Sequence, residues 1–123
     1  MKKTSITAAF LAFSLAAGTA GATNANKGKR VFNKCKACHA LKAGKNKVGP
    51  SLHGIMGRKA GMVTKFKYSK AMKNSGLTWD EETLRKYLKK PRSFLKGTRM
   101  AFAGIKKDKD MDNLIAYLKA ATK

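Results

Sequence analysis

The chain has 123 residues, with Lys and Arg outnumbering Asp and Glu by 28 to 6 for a formal charge of +22. That length holds one compact domain and leaves little room for a second. So large a positive charge favours solubility and rapid encounter with anionic surfaces, and on its own it leaves nucleic acid, acidic lipid and acidic protein all open as partners.

The first stretch reads as separate from the domain. Met1-Lys2-Lys3 makes a positive start, residues 6–17 are almost wholly apolar, and Ala20-Gly21-Ala22 closes the segment with small residues, the layout of a secretory signal peptide. The apolar run is shorter than the roughly 18–20 residues that span a bilayer, which argues against a membrane anchor. Cleavage is expected after Ala22, so the leader is 1–22 and the domain 23–123; Thr23-Asn24-Ala25 offers an alternative leader end at 25. Without Lys2 and Lys3 the remainder carries 26 basic and 6 acidic side chains, a formal +20. Export to the periplasm as a soluble protein argues against nucleic acid as a partner.

Gly28, Val31, Phe32 and Cys35 recur at helical spacing, so a short first helix is expected to present them on one face. From residue 40 to 76 the periodicity fails, with glycines at 44, 49, 54, 57, 61 and 76 and Pro50 among them. Loops this long are uncommon in a compact domain unless something organises them, and a buried cofactor would do so. The next helix is marked by Thr78 three residues before Glu81, the spacing of a capping box, followed by Leu84, Tyr87 and Leu88 on one side. Pro91 stops it or begins a new segment. A last helix starts near Asp108 and carries Met111, Leu114, Ile115, Leu118 and Ala121 at helical spacing, and no strand pattern stands out. Asp80, Glu81 and Glu82 open one helix and Asp108, Asp110 and Asp112 the other, where each set complements a helix dipole and leaves the remaining surface almost purely basic.

Cys35-Lys36-Ala37-Cys38-His39 is the C-x-x-C-H signature of c-type haem attachment. Two thiols three residues apart can each form a thioether to a porphyrin vinyl group, and the adjacent imidazole then reaches the iron. A disulfide, a redox dithiol and half of a zinc site are the rival readings. A thioredoxin-type pair expects a preceding strand, where this pair follows a helical pattern, and a zinc site needs ligands beyond the His53 and carboxylates the chain offers. For the sixth iron ligand the candidates are His53, Met56, Met62, Met72, Met100 and Met111. Pattern alone slightly favours Met100, which stands in a helix-free segment, although a methionine is ordinarily a core gap-filler.

Val48-Gly49-Pro50-Ser51-Leu52-His53-Gly54, Gly57-Arg58-Lys59, Gly97-Thr98-Arg99-Met100-Ala101-Phe102-Ala103-Gly104 and Leu114-Ile115-Ala116-Tyr117-Leu118 together resemble class I cytochrome c, in particular the soluble bacterial type similar to the mitochondrial protein. The resemblance covers nearly everything from Gly28 to the C-terminus. It implies an all-α cytochrome c fold, three main helices plus long loops wrapped around one covalent haem with its iron. It implies that His39 and Met100 are the axial iron ligands and that the Pro50 carbonyl accepts the other imidazole N–H. Tyr68 and Trp79 match donors to a buried haem propionate, Arg58 the nearby compensating charge, Tyr87 the hydroxyl near the methionine sulfur, and Phe102 the aromatic residue beside the exposed haem edge. Gly28, Phe32, Leu114 and Tyr117 match the contact between first and last helices. Three departures stand out: Met72 replaces an asparagine of the propionate network, Lys96 replaces a proline before the methionine loop, and the chain between Phe32 and Cys35 is one residue shorter than in mitochondrial relatives.

An iron closed by His39 and Met100 implies electron transfer rather than enzymatic turnover; a five-coordinate haem enzyme or gas-binding protein is the alternative. Lys34, Lys45, Lys47, Arg92, Arg99 and Lys106 fall at or near positions that ring the exposed haem edge in relatives, so the expected partners are acidic docking surfaces of redox proteins or membrane complexes. A monomer making transient membrane-surface contact completes the expectation. A quinol-oxidising complex, a dehydrogenase, a photosynthetic centre and a terminal oxidase are all eligible as donor or acceptor.

Overall fold

A computed structural model describes Ala9 and residues 24–123; the remainder of the expected leader lies outside the described residues. Five helices follow in chain order: α1 (Ala25–Phe32), α2 (Lys70–Lys73), α3 (Glu81–Lys89), α4 (Pro91–Phe94) and α5 (Asp108–Ala121). No strand forms among the described residues, where a lone antiparallel bridge joins Lys59 to Thr78. The architecture is all-α, with α1, α3 and α5 as the main helices. Single-turn α2 and α4 are too short for hydrophobic periodicity to reveal.

Asn24 starts α1, its side-chain oxygen accepting the N–H groups of Asn26 and Lys27 at 2.9 and 3.2 Å, two of the donors a helix start leaves unpaired. The helix ends earlier than its apolar spacing suggests. From Asn33 to Cys35 the amides bond three residues back, Asn33 to Arg30, Lys34 to Val31 and Cys35 to Phe32. This tightening turns Cys35 out of the helical register.

The face of α1 that holds Gly28 and Phe32 is buried on α5, the main helix-to-helix contact of the molecule. A side chain at Gly28 would run into the Asn113 carbonyl and lie 2.7 Å from Tyr117 Cβ, so the absence of one sets how closely the two helices cross. Phe32 and Tyr117 stack beside that crossing with ring centres 5.2 Å apart. Met111, Leu114, Ile115 and Leu118 of α5 form the centre of the core. Leu114 and Ile115 are sealed completely and are worth about 1.5–3 kcal/mol each in burial.

Asp80, rather than Thr78, caps α3: its carboxylate accepts the Thr83 amide at 2.8 Å. Thr78 is engaged instead in the bridge to Lys59, which takes it out of capping position. Pro91 both ends α3 and opens α4, where its missing N–H costs nothing. Trp79, Tyr87 and Phe94 form an aromatic run, with ring centres 5.1 and 6.3 Å apart. The long loops are tied to this frame by backbone bonds, among them Leu52 to Ala40, Gly54 to Thr122, Gly57 to Trp79 and Ala60 to Leu77.

The acids do more than face helix dipoles. Arg85 on α3 holds Glu81 at 3.1 Å and reaches across to Asp112 on α5 at 2.6 Å; Lys119 also pairs with Glu81, and Lys89 approaches Asp108 at 3.8 Å. The second and third main helices are therefore bracketed by charge.

Candidate functional site

Cys35, Cys38 and His39 occupy one turn, in which the Cys38 and His39 amides both return to the Cys35 carbonyl at 3.1 and 2.9 Å. Both thiols are unpaired, Cys35 half-buried and Cys38 exposed. Burial pushes the Cys35 thiol up to about 11, so in the bare chain it is a neutral thiol.

The loop after the turn is stitched to it, the Gly49 amide donating to the Cys38 carbonyl at 2.7 Å. Gly49 lies against the His39 ring so closely that a Cβ there would stand 2.7 Å from Nδ1. The next residue fixes the ring's orientation: His39 Nδ1 lies 2.8 Å from the Pro50 carbonyl oxygen. A carbonyl can only accept, so Nδ1 carries the proton and the Nε2 lone pair is left for a metal. Burial is the leading reason His39 is held below the ordinary histidine range, with Arg58 and Lys47 acting in the same direction against the Pro50 bond. The neutral ring is the form that ligates metal.

Met100 is half-buried against the core, as is Phe102. Among the rivals for the sixth position, His53 and Met62 are exposed and Met111 is a sealed core residue, whereas Met56 and Met72 are half-buried like Met100. Tyr87 hydrogen-bonds Thr98 Oγ1 at 2.6 Å, and the same oxygen accepts the Met100 amide at 3.4 Å. Thr98 therefore connects the Tyr87 hydroxyl to the methionine loop. No sequence signal identified Thr98 as that link, because its partner lies eleven residues away across a loop.

On the third side, the Tyr68 hydroxyl oxygen accepts the Val63 amide at 3.1 Å, which leaves its own proton to donate elsewhere. No acceptor among the described residues takes the Trp79 indole N–H. No sealed side-chain polar atom lacks a partner there, so this N–H faces accessible space although its residue is only 6% exposed. Arg58 spends Nη1 on the carbonyls of Ser51 and His53 at 3.1 and 2.8 Å, which pins the charge beside this region.

Lys34, Lys45, Lys47, Arg92, Arg99 and Lys106 are all exposed. Lys47 is also tethered, its ammonium donating to the Lys36 carbonyl inside the cysteine turn at 2.7 Å. A cleft of about 560 Å³ beside Arg99 and Tyr68 adds Lys65, Lys67, Lys70 and Lys73, basic residues that the sequence analysis did not single out.

These residues fit a covalently held haem. One turn presents two free thiols and an imidazole with its tautomer fixed, a glycine is required against that imidazole, and the accessible Trp79 indole N–H lacks a partner among the described residues. The rival zinc reading finds no second half, since among the described residues no three His, Cys, Asp or Glu side chains gather to hold an ion.

Comparison with known proteins gives the same direction. The family model for cytochrome c matches residues 25–122. The chain is 53% identical to cytochrome c-550 of Bradyrhizobium diazoefficiens over 92 residues, 74% of this chain and 68% of that one. It is 55% identical to cytochrome c2 iso-2 of Magnetospirillum fulvum over 89 residues, 72% of this chain and 93% of that one. Among solved structures, cytochrome cH from Methylobacterium extorquens superposes with a TM-score of 0.74 at 45% identity, covering 79% of this chain and 98% of that one.

Proposed function

This chain belongs to the cytochrome c family, whose members bind one covalent haem c with its iron, and on that premise we propose that it is a soluble periplasmic carrier passing single electrons between redox proteins. When bound, the haem supplies one iron that alternates between ferric and ferrous states. Cys35 and Cys38 would hold the group covalently, and His39 and Met100 would supply its two protein ligands to the iron, leaving no position for a substrate. The observation that carries this reading is His39 itself, oriented by the Pro50 carbonyl and the Gly49 backbone at the end of the cysteine turn.

The chain's own residues then do three things. The apolar core and the Met100 thioether disfavour the more positive oxidised state and raise the reduction potential. Trp79 and Tyr68 offer donors to a propionate, with Arg58 as nearby positive charge. Lys34, Lys45, Lys47, Arg92, Arg99 and Lys106 would steer acidic docking surfaces toward the haem, with Phe102 as an aromatic residue beside it. Such a protein is a carrier rather than an enzyme.

Carbon monoxide tests the closed axial position. The ferrous spectrum of the exported protein is expected to be unchanged by the gas and that of Met100→Ala to shift. A large shift in the unsubstituted protein would instead support the five-coordinate enzyme or gas-binding reading.

A further inference from the structure

Three segments meet at the cleft of about 560 Å³: the loop 61–68, α2 and the stretch that leads into Met100. Five cations line it, Lys65 and Lys67 from the loop, Lys70 and Lys73 from α2 and Arg99 from the third segment, while Phe66 and Tyr68 supply an aromatic wall. All five are exposed, and none is held in an ion pair among the described residues. That sets them apart from Lys86, Lys89 and Lys119, each of which faces a carboxylate on α3 or α5. No Asp or Glu among the described residues lines the cleft.

The cleft is also held in shape by its own walls. Asn46 donates to the Thr64 carbonyl at 3.1 Å and the Tyr68 hydroxyl accepts the Val63 amide at 3.1 Å, which fixes the loop. Buried Ser69 caps α2 by accepting the Met72 amide at 3.0 Å. The segments touch one another: a Cβ on residue 61 would stand 3.1 Å from Lys73 Cα, and one on residue 97 would stand 3.1 Å from Ala71 Cβ. Lys65 is the one non-glycine residue with positive φ among the described residues, at 62°. A lysine adopts that region only at a cost, so the fold keeps this cation on the cleft against its local preference.

We propose that the cleft is a binding site for a compact phosphate-type polyanion, a site that shares only Arg99 with the cations assigned to partner docking. A concavity lined by one sign of charge, with an apolar wall, focuses its field on whatever enters. Five like charges without internal partners repel one another, and a multivalent anion relieves that repulsion where a single carboxylate leaves most of it in place. Phosphate oxygens suit the set, because the Arg99 guanidinium can take two of them side by side and each ammonium can take one as a point charge. The ion comes from solution: a cleft surrounds a small free ion, whereas a bilayer holds its phosphates in a plane and an acidic protein spreads its carboxylates over a broad surface.

The test titrates inorganic tripolyphosphate into the exported, haem-loaded protein at physiological ionic strength, read by calorimetry. One saturable site is expected, with amide NMR shifts concentrated at residues 61–73 and 97–99. Lys67→Gln/Lys73→Gln is expected to weaken binding at least about tenfold, and Lys27→Gln/Lys29→Gln by less than about twofold, because charges distant from the ion are screened. The second pair removes the same charge from α1, which makes no contact with α2. All four lysines are exposed, so both variants keep the fold. Equal weakening in the two variants would overturn the site and leave only attraction to the net charge, and absence of saturable binding would overturn it outright. Binding to phosphatidylglycerol vesicles, lost in the cleft variant, without binding of tripolyphosphate would overturn it in favour of a membrane contact.

Discussion

Two backbone features set the histidine: the carbonyl of Pro50, which fixes its tautomer, and the bare Cα of Gly49, which lets the chain pass beside its ring. A methyl group at residue 49 has to displace one or the other. Gly49→Ala is therefore expected to lower the yield of haem-loaded protein and to shift its reduction potential, as measured by potentiometric titration; an unchanged yield and potential would mean the contact is slack. At Thr98 the issue is satisfaction rather than space. Thr98→Val leaves the buried Tyr87 hydroxyl without its partner, at a cost of about 1–3 kcal/mol seen in denaturant unfolding of the holoprotein. The two positions differ in legibility. The cysteine turn and His39 could be read directly because that chemistry is local in sequence. The Pro50 contact came only through resemblance, and the Thr98 link was invisible because it depends on the path of a loop.

Helices α1, α3 and α5 were readable from apolar spacing, as were the start of α5 at Asp108 and the break at Pro91, but the end of α1 and the cap of α3 were not, and the reasons are particular. Cys35 keeps the apolar period of α1, yet the chain tightens after Phe32 to bring both cysteines into one turn. Thr78 has the capping-box spacing, yet Asp80 takes the cap because Thr78 is held in the bridge to Lys59. At the crossing of α1 and α5, Gly28→Ala forces a methyl group into the Asn113 carbonyl and is expected to destabilise the fold by about 1–3 kcal/mol or more. The bracket between α3 and α5 is weaker, because its members are partly exposed. Lys119 and Arg85 hold the Glu81 carboxyl below the ordinary glutamate range. A carboxyl depressed in the folded state contributes stability that is complete above its unfolded value and is lost as pH falls through the folded one. Glu81→Gln is therefore expected to cost no more than about 1 kcal/mol near neutral pH, in a thermal melt, with the difference from the unsubstituted protein shrinking on acidification.

At the scale of the molecule, charge and cofactor explain features that no single helix does. Glu81, Glu82, Asp108 and Asp112 are spent on ion pairs with Arg85, Lys86, Lys89 and Lys119, and Asp80 on a helix cap. The rest of the surface stays basic, including the Lys65, Lys67, Lys70, Lys73 and Arg99 cleft. Electron exchange with an acidic partner protein is expected to slow steeply as salt is added, since exposed charges are screened over about 8 Å at physiological ionic strength. Stopped-flow rates independent of salt would remove the docking role from these lysines. The failure of periodicity from residue 40 to 76 pointed to an organising cofactor, and that stretch holds only the single-turn α2, its loops being tied to the frame by backbone bonds such as Gly57 to Trp79 and Ala60 to Leu77. The central claim, an iron closed by His39 and Met100 for electron transfer, is tested most directly by the absorption spectrum of the oxidised protein. The weak far-red band of methionine-to-ferric-iron ligation should be present in the native chain and absent in Met100→Ala; a native spectrum without that band, of the five-coordinate kind, would contradict the account.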